Sequence, residues 1–192
     1  MQLDTDWLRQ QGQDAPLLHC VSTGFGRKTP QKIGIAVSGG GDSMALLHLL
    51  ARCAAQTGHL IEAVTVDHGL RPEAADEAAM VSAMCQRAKI THTTLQWTGW
   101  TGQGNLSAAA RDARYALMAD WAKTRGIEGI VLGHTGDDVA ETFLMRLGRK
   151  AGVDGLAAMN TNFERNGIRW ARPLWQQSRS ELRDYLRRHD VH

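Results

Sequence analysis

The chain alternates between short apolar runs rich in β-branched residues and longer stretches whose apolar positions recur every three to four residues. Residues 33–50, IGIAVSGGGDSMALLHLL, show the change of period most clearly. Ile33, Ile35 and Val37 alternate as in a strand, whereas Ala45, Leu46, Leu49 and Leu50 share one face of a helix. Between them lie Ser38, Gly39, Gly40, Gly41, Asp42 and Ser43. Three glycines let the main chain approach a bulky anion, and a helix start adds unpaired N–H groups and the positive end of a dipole. A phosphate is the natural guest. No lysine lies between Lys32 and Lys89, which removes a Walker loop, and Met44 stands where the dinucleotide fingerprint needs its third glycine.

The same alternation runs on. A short amphipathic helix is expected over 3–11 and a loop over 24–30. After a helix over 42–56 and a stop at Gly58, the pattern predicts a strand over 59–66, a turn over 67–72, a helix over 73–88 and a strand over 90–97. Gly99, Gly102 and Gly104 then break order around Trp100, and Asn105 caps a long helix that ends at Gly126. A buried strand over 127–132 and a helix over 137–149 follow. Four strand–helix alternations with short connections imply an α/β fold, a doubly wound, mostly parallel sheet with helices on both faces. Ligands in such sheets lie at the carboxyl ends of strands, which puts 38–43, 67–71 and 133–138 on one rim. Asn166-Gly167 predicts a hairpin within 162–173, and Ser178 with Glu181 forms a capping box for a final helix.

Composition narrows the class. At 192 residues the chain is long enough for one domain with a full core, expected to span 1–192. Cys20, Cys53 and Cys85 are widely spaced and read as reduced thiols, with no C-x-x-C for zinc or a cluster. No leader or membrane span is read, so the expected location is the cytoplasm. Net charge is only +2, although seven arginines follow residue 163, an excess that a solvated helix face explains better than a nucleic acid does.

On the rim, Asp138 and Glu141 are three apart at a helix start. They either complement the dipole or, near the glycine loop, hold Mg²⁺ or accept a proton. Arg111 and Arg114 share a helix face, as solvated residues or as a phosphate clamp. His68 and His134 close strands on the rim and could orient a ribose or base. Trp97 and Trp100 could stack on a base or anchor the core.

S-G-G-G-D-S at 38–43 resembles the pyrophosphate loop of the N-type ATP pyrophosphatases, the PP-loop superfamily. With V-D-H-G-L-R at 66–71, N-L-S-A-A-A-R-D-A-R-Y at 105–115, G-H-T-G-D-D-V-A-E-T at 133–142, G-V-D-G-L-A-A-M at 152–159 and R-P-L at 172–174, the chain is similar to the N-terminal catalytic domain of the tRNA(Ile)-lysidine synthetase family. The resemblance implies a ligase that adenylates the wobble cytidine of an isoleucine tRNA with ATP and Mg²⁺ and then joins lysine to it. Its implied nucleotide-binding residues are Ser38, Gly39, Gly40, Gly41, Asp42, Ser43, Asp67, His68 and His134, with Asp42 the Mg²⁺ ligand. Its implied catalytic residues are Asp42, Arg114, Asp138 and Glu141. Implied partners are ATP, L-lysine and the tRNA anticodon, with no membrane and with room for a homodimer. The family's C-terminal tRNA-gripping domains are expected to be absent from this chain. Thr135 stands where family members commonly carry a second histidine, and Lys150-Ala151 where they carry Gly-Ser. The alternatives are a tRNA thiolase or small-molecule amide ligase of the same superfamily, or an inactive nucleotide-binding fragment.

Overall fold

A single six-stranded sheet organises the chain in a computed structural model that describes residues 6–26, 28–69, 73–98, 104–148 and 160–191. Its principal elements are α1 (Ala15–Ser22), β1 (Lys32–Ala36), α2 (Gly41–Thr57), β2 (Leu60–Asp67), α3 (Glu73–Arg87), β3 (Thr91–Gln96), α4 (Leu106–Thr124), β4 (Gly129–Leu132), α5 (Gly136–Gly148), β5 (Asn162–Arg165), β6 (Ile168–Ala171) and α6 (Arg179–Arg188). The strand order is β3-β2-β1-β4-β6-β5, and every pairing is parallel except that of β5 with β6. The doubly wound, mostly parallel sheet expected from the alternation is what the chain forms. The segments around Trp100 and at 70–72, and the motif at 152–159, lie outside the described residues.

Alternation along the strands divides the interior in two. Ile33 and Ile35 of β1 and Val131 of β4 pack with Leu46, Leu49 and Leu50 of α2, with α1, and with Val81 and Cys85 of α3. On the opposite face, Val64 of β2, Ile130 and Leu132 of β4 and Trp170 of β6 pack with Tyr115, Met118 and Trp121 of α4. Burying a large apolar side chain of this kind stabilises by roughly 1.5–3 kcal/mol, so each face anchors its helices firmly.

Local signals set most boundaries. Gly58 ends α2 in the left-handed region, at φ +72, with its N–H on the Ala54 carbonyl. Asn105 accepts a bond from the Ala108 N–H, and Ser178 and Glu181 form the reciprocal capping box of α6. Asn166 and Gly167 both take positive φ and turn β5 into β6. The amino-terminal region differs from expectation. Short 3₁₀ turns at Asp6–Gln10 and Gly12–Asp14 lead into α1, which the periodicity did not single out because it is only eight residues long. Leu17, Leu18 and Val21 bury its inner face. β4 also starts two residues later than expected, because Ile127 is taken up in closing the α4 terminus through its bond to the Ala122 carbonyl.

The sheet order positions the site. The path runs from β1 outward through β2 to β3 and then crosses back to β4, so its direction reverses between β1 and β4. Parallel pairing brings Ala36 opposite both Val64 and Leu132, aligning the carboxyl ends of β1, β2 and β4 on one edge. A crevice opens there by construction.

Candidate active site

The turn between β1 and α2 is held by its own side chains. Ser43 Oγ accepts the Ser38 N–H at 3.1 Å and donates to the Gly40 carbonyl at 2.8 Å. Gly39 has φ +85, and a Cβ there would lie 3.2 Å from Cβ of Glu77, so a side chain at this point would meet both strain and α3. Gly40 occupies the cap position of α2 with no side-chain cap bond, so the first-turn N–H groups face outward with the helix dipole behind them.

A second turn, between β4 and α5, lies directly against the first. A Cβ at Gly133 would come within 3.0 Å of Ser43 Cα and 3.1 Å of Ser43 N. Only glycine permits that approach without displacing backbone. Asp138 closes the start of α5 by accepting the Thr135 N–H at 2.7 Å and the Thr135 hydroxyl at 3.1 Å. Its other oxygen accepts from Arg179 at 2.7 Å. Burial by itself raises the Asp138 pKa, but the Thr135 bonds and Arg179 outweigh it and the net shift is downward.

Arg179 is the residue that sequence reasoning left among the solvated arginines. Its guanidinium reaches Asp138 at 2.7 Å, Glu141 at 2.6 Å and Asp42 at 3.4 Å, and its backbone N–H donates to Asp137 at 2.8 Å. Helix starts disfavour cations, so an arginine in the first turn of α6 was itself a signal that an acidic partner lay nearby. Asp42, at the head of α2, has its pKa raised by burial and by the neighbouring charges of Asp138 and Asp137, against the opposing pull of Arg179.

Ser38, Gly40, Gly41, Asp42 and Ser43 share a cavity of about 640 Å³ with His68, Arg114, His134 and Asp138. Thr65, Glu77, Arg179 and Arg183 line it too, and none of these four stood out in the sequence. Gly39, Asp67 and Glu141 do not line it: Gly39 turns toward α3, Asp67 accepts the Gly69 N–H at 2.8 Å to close the turn after β2, and exposed Glu141 is bound to Arg179. Trp97 meets the His68 ring edge-on at 5.8 Å. Nδ1 of His68 and Nε of Arg114 are buried without a hydrogen-bond partner among the described residues. Buried polar atoms of this kind are rare unless a ligand or water completes them. His134 accepts from Arg172 at Nδ1, 3.2 Å away, and burial together with the Arg172 and Arg114 charges pushes its pKa down to about 4.

Among the described residues no group of three or more His, Cys, Asp or Glu is arranged to hold a metal ion. Mg²⁺, however, is commonly held by one or two carboxylates plus the phosphates of a substrate, and Asp42, whose surroundings penalise extra negative charge, fits that kind of donor set. The three cysteines stand away from the cavity, with burial pushing Cys53 up to about 12 and Cys85 up to about 11. No helix among the described residues is long and apolar enough to cross a membrane.

A phosphate-sized loop and an acidic helix start, packed backbone to backbone at the sheet's switch point, are matched by comparison with known proteins: the PP-loop domain family matches residues 14–192. The chain belongs to that family. The tRNA(Ile)-lysidine synthase of Ruegeria pomeroyi is 50% identical over 171 residues, which cover 89% of this chain and 41% of that protein. The enzyme of the same name from Rhodopseudomonas palustris is 48% identical over 157 residues, covering 81% of this chain and 45% of that protein. The chain thus spans less than half the length of these two relatives. Among solved structures, the U34-tRNA thiolase NcsA of Methanococcus maripaludis superposes with a TM-score of 0.77 at 18% identity, over 97% of this chain and 65% of that one. The NH3-dependent NAD synthetase of Campylobacter jejuni follows with a TM-score of 0.60 at 12% identity, over 99% and 75% of the two chains. At these identities they share the PP-loop fold. The PP-loop superfamily read from the glycine loop and the fold read from the strand–helix alternation are therefore borne out.

Proposed function

We propose that this PP-loop chain is the catalytic domain of a tRNA(Ile)-lysidine synthase, joining lysine to the wobble cytidine of an isoleucine tRNA at the expense of ATP. The observation that carries the reading is the contact of the glycine turn with the acidic turn through Gly133 and Ser43, which sets a phosphate-sized loop beside carboxylates. In the first step cytidine O2 attacks the α-phosphorus of ATP and pyrophosphate leaves. The N–H groups at the start of α2, with the hydroxyls of Ser38 and Ser43 shaping the turn, face the growing diphosphate charge. Mg²⁺, when bound, neutralises phosphate charge, and Asp42 is the residue that would hold it.

In the second step the lysine ε-amine attacks C2 of the adenylated cytidine and AMP departs. Free lysine has a pKa of about 10.4, so its ammonium must lose a proton before it can attack. Asp138, on the cavity wall, and Glu141, one turn further along α5, are the carboxylates assigned to that proton, and Arg179 balances them until a substrate cation arrives. Arg114, whose Nε is buried without a partner among the described residues, reaches the cavity from α4, where it would meet a nucleotide phosphate or the reacting cytidine. His68 and His134 flank the same space and would orient the nucleotide. A thiolase reading has little support, because no cysteine borders the cavity.

Incubating the chain with the isoleucine tRNA, ATP, Mg²⁺ and L-lysine and weighing the anticodon fragment tests this. A mass gain of one lysine less water at the wobble cytidine is expected. Amino-acid-dependent ATP–pyrophosphate exchange without tRNA would overturn the proposal in favour of a small-molecule ligase.

A further inference from the structure

β4 and β6 lie parallel, with Val131 opposite Ala171, so the residues just beyond the two strand ends meet. They are His134 and Arg172. Arg172 is only 4% exposed, an unusual burial for a guanidinium, and its ionic neighbours are cations. Its Nη1 donates to the Asn160 carbonyl, its Nη2 to the Tyr115 hydroxyl at 3.4 Å, and its plane lies over Phe163 at 4.3 Å. The third nitrogen, Nε, points at His134 Nδ1, 3.2 Å away. A guanidinium carries donors only and stays protonated in proteins, so Nδ1 has to be the accepting nitrogen.

We propose that Arg172 is a positioning residue that holds His134 as the neutral imidazole with its proton on Nε2, making His134 a fixed hydrogen-bond donor to an anionic oxygen of the bound substrate. The ring then has no lone pair with which to take a proton from the cavity. In the reaction proposed above, the ammonium proton of lysine passes instead to a carboxylate, Asp138 or Glu141. The charged groups around the ring agree with this. Arg172 beyond β6 and Arg114 and Arg111 on α4 disfavour an imidazolium, Asp138 on α5 opposes them, and burial adds to the arginines. The same three cations select an anion as the partner of Nε2–H. A nucleotide phosphate and an amino-acid carboxylate share that chemistry.

Only the identity of the ligand rests on the lysidine reading; the tautomer does not. Nitrogen-15 NMR of histidine-labelled protein, with the His134 signals assigned by their loss in His134→Gln, reads it without turnover. A protonated Nε2 and unprotonated Nδ1 that stay unchanged from pH about 5.5 to 8 are expected, a range in which an ordinary histidine titrates. Arg172→Lys keeps a donor and retains that pattern, whereas Arg172→Met releases the ring to exchange tautomers and to titrate nearer the ordinary range. A proton on Nδ1 in the parent protein, or an unchanged spectrum in Arg172→Met, overturns the proposal. Should Arg172→Met fail to fold, the parent spectrum and Arg172→Lys decide. Titration with ATP or with L-lysine then separates the sources. A shift of the Nε2–H signal with ATP assigns the phosphate, a shift with L-lysine assigns the carboxylate, and no shift with either removes the donor role. For the ligand so assigned, His134→Ala should weaken binding about tenfold, the scale of one hydrogen bond to a charged group, and His134→Gln, which keeps a donor, less than about threefold.

Discussion

Two acid–arginine clusters join α6 to the rest of the protein, and they behave differently because one is closed and the other open. At the sealed cluster, Asp14 accepts from Arg52 at 2.6 Å, Arg188 at 3.0 Å and His189 at 2.6 Å, while Arg52 also donates to Gln11 and Tyr185. One carboxylate is surrounded by donors and only 6% exposed, so it has no capacity left for a ligand. At the open cluster the ratio is inverted. One arginine, Arg179, serves Asp42, Asp138 and Glu141, so this cluster carries an acidic surplus, and Asp42 and Asp138 present it to the cavity. Identical residue types therefore give a clamp in one place and a candidate reaction centre in the other. Stoichiometry and access decide which.

The comparison breaks most sharply at Asp138. Asp138→Ala should lower lysine incorporation into the tRNA by about 100-fold or more, the scale of a lost acid–base group. It should cost only about 1–2 kcal/mol of stability, because what the fold loses is the pair of Thr135 cap bonds and a partly exposed ion pair with Arg179, which keeps Glu141 and Asp42. Initial rates and a thermal melt measured on the same preparation check both. Asp14→Ala should do the reverse: about 2–3 kcal/mol of stability lost, since a buried carboxylate that accepts from three partly exposed cations is removed, and ATP affinity in the surviving folded protein altered less than about threefold. Urea denaturation with and without ATP reads the two numbers, and a collapse of ATP binding would mean that the sealed cluster sets the open one.

Gly133→Ala sharpens the comparison at the seam of the cavity. The added Cβ would press on the Ser43 backbone, so ATP binding measured by calorimetry should weaken about tenfold, a loss of 1.4 kcal/mol. Acid should cost the sealed cluster less than deleting the Asp14 side chain does. Burial raises the Asp14 pKa, but Arg52, Arg188 and His189 overcome this and bring it down to about 2. A depressed carboxylate pKa contributes stability that is present above its unfolded value, near 3.8, and is lost as pH falls through the folded one. The unfolding free energy should thus drop by about 2 kcal/mol between pH about 4 and 2 from this group, and Asp14→Asn should flatten that part of the curve.

Features within a few residues of one another were legible in advance. The glycine turn, the stop at Gly58, the caps at Asn105 and Ser178 and the Asn166-Gly167 turn rest on hydrogen bonds and backbone torsions that the local sequence specifies. So was the winding of the sheet, because its rules follow from the order of strands and helices. α1 escaped notice because eight residues carry too little periodicity, and its stability comes from the core beneath it.

What the chain determined by itself was therefore which turns carry phosphate-binding and acidic chemistry, and that the sheet would set them on one edge. Tertiary structure alone decided how that chemistry is balanced. Arg179 meets acids 38 to 137 positions earlier, and Arg172 meets a histidine 38 positions earlier. Charge and hydrogen-bond partnership act through distances of a few ångströms in space, and separation along the chain says nothing of those until the sheet has brought the strand ends together.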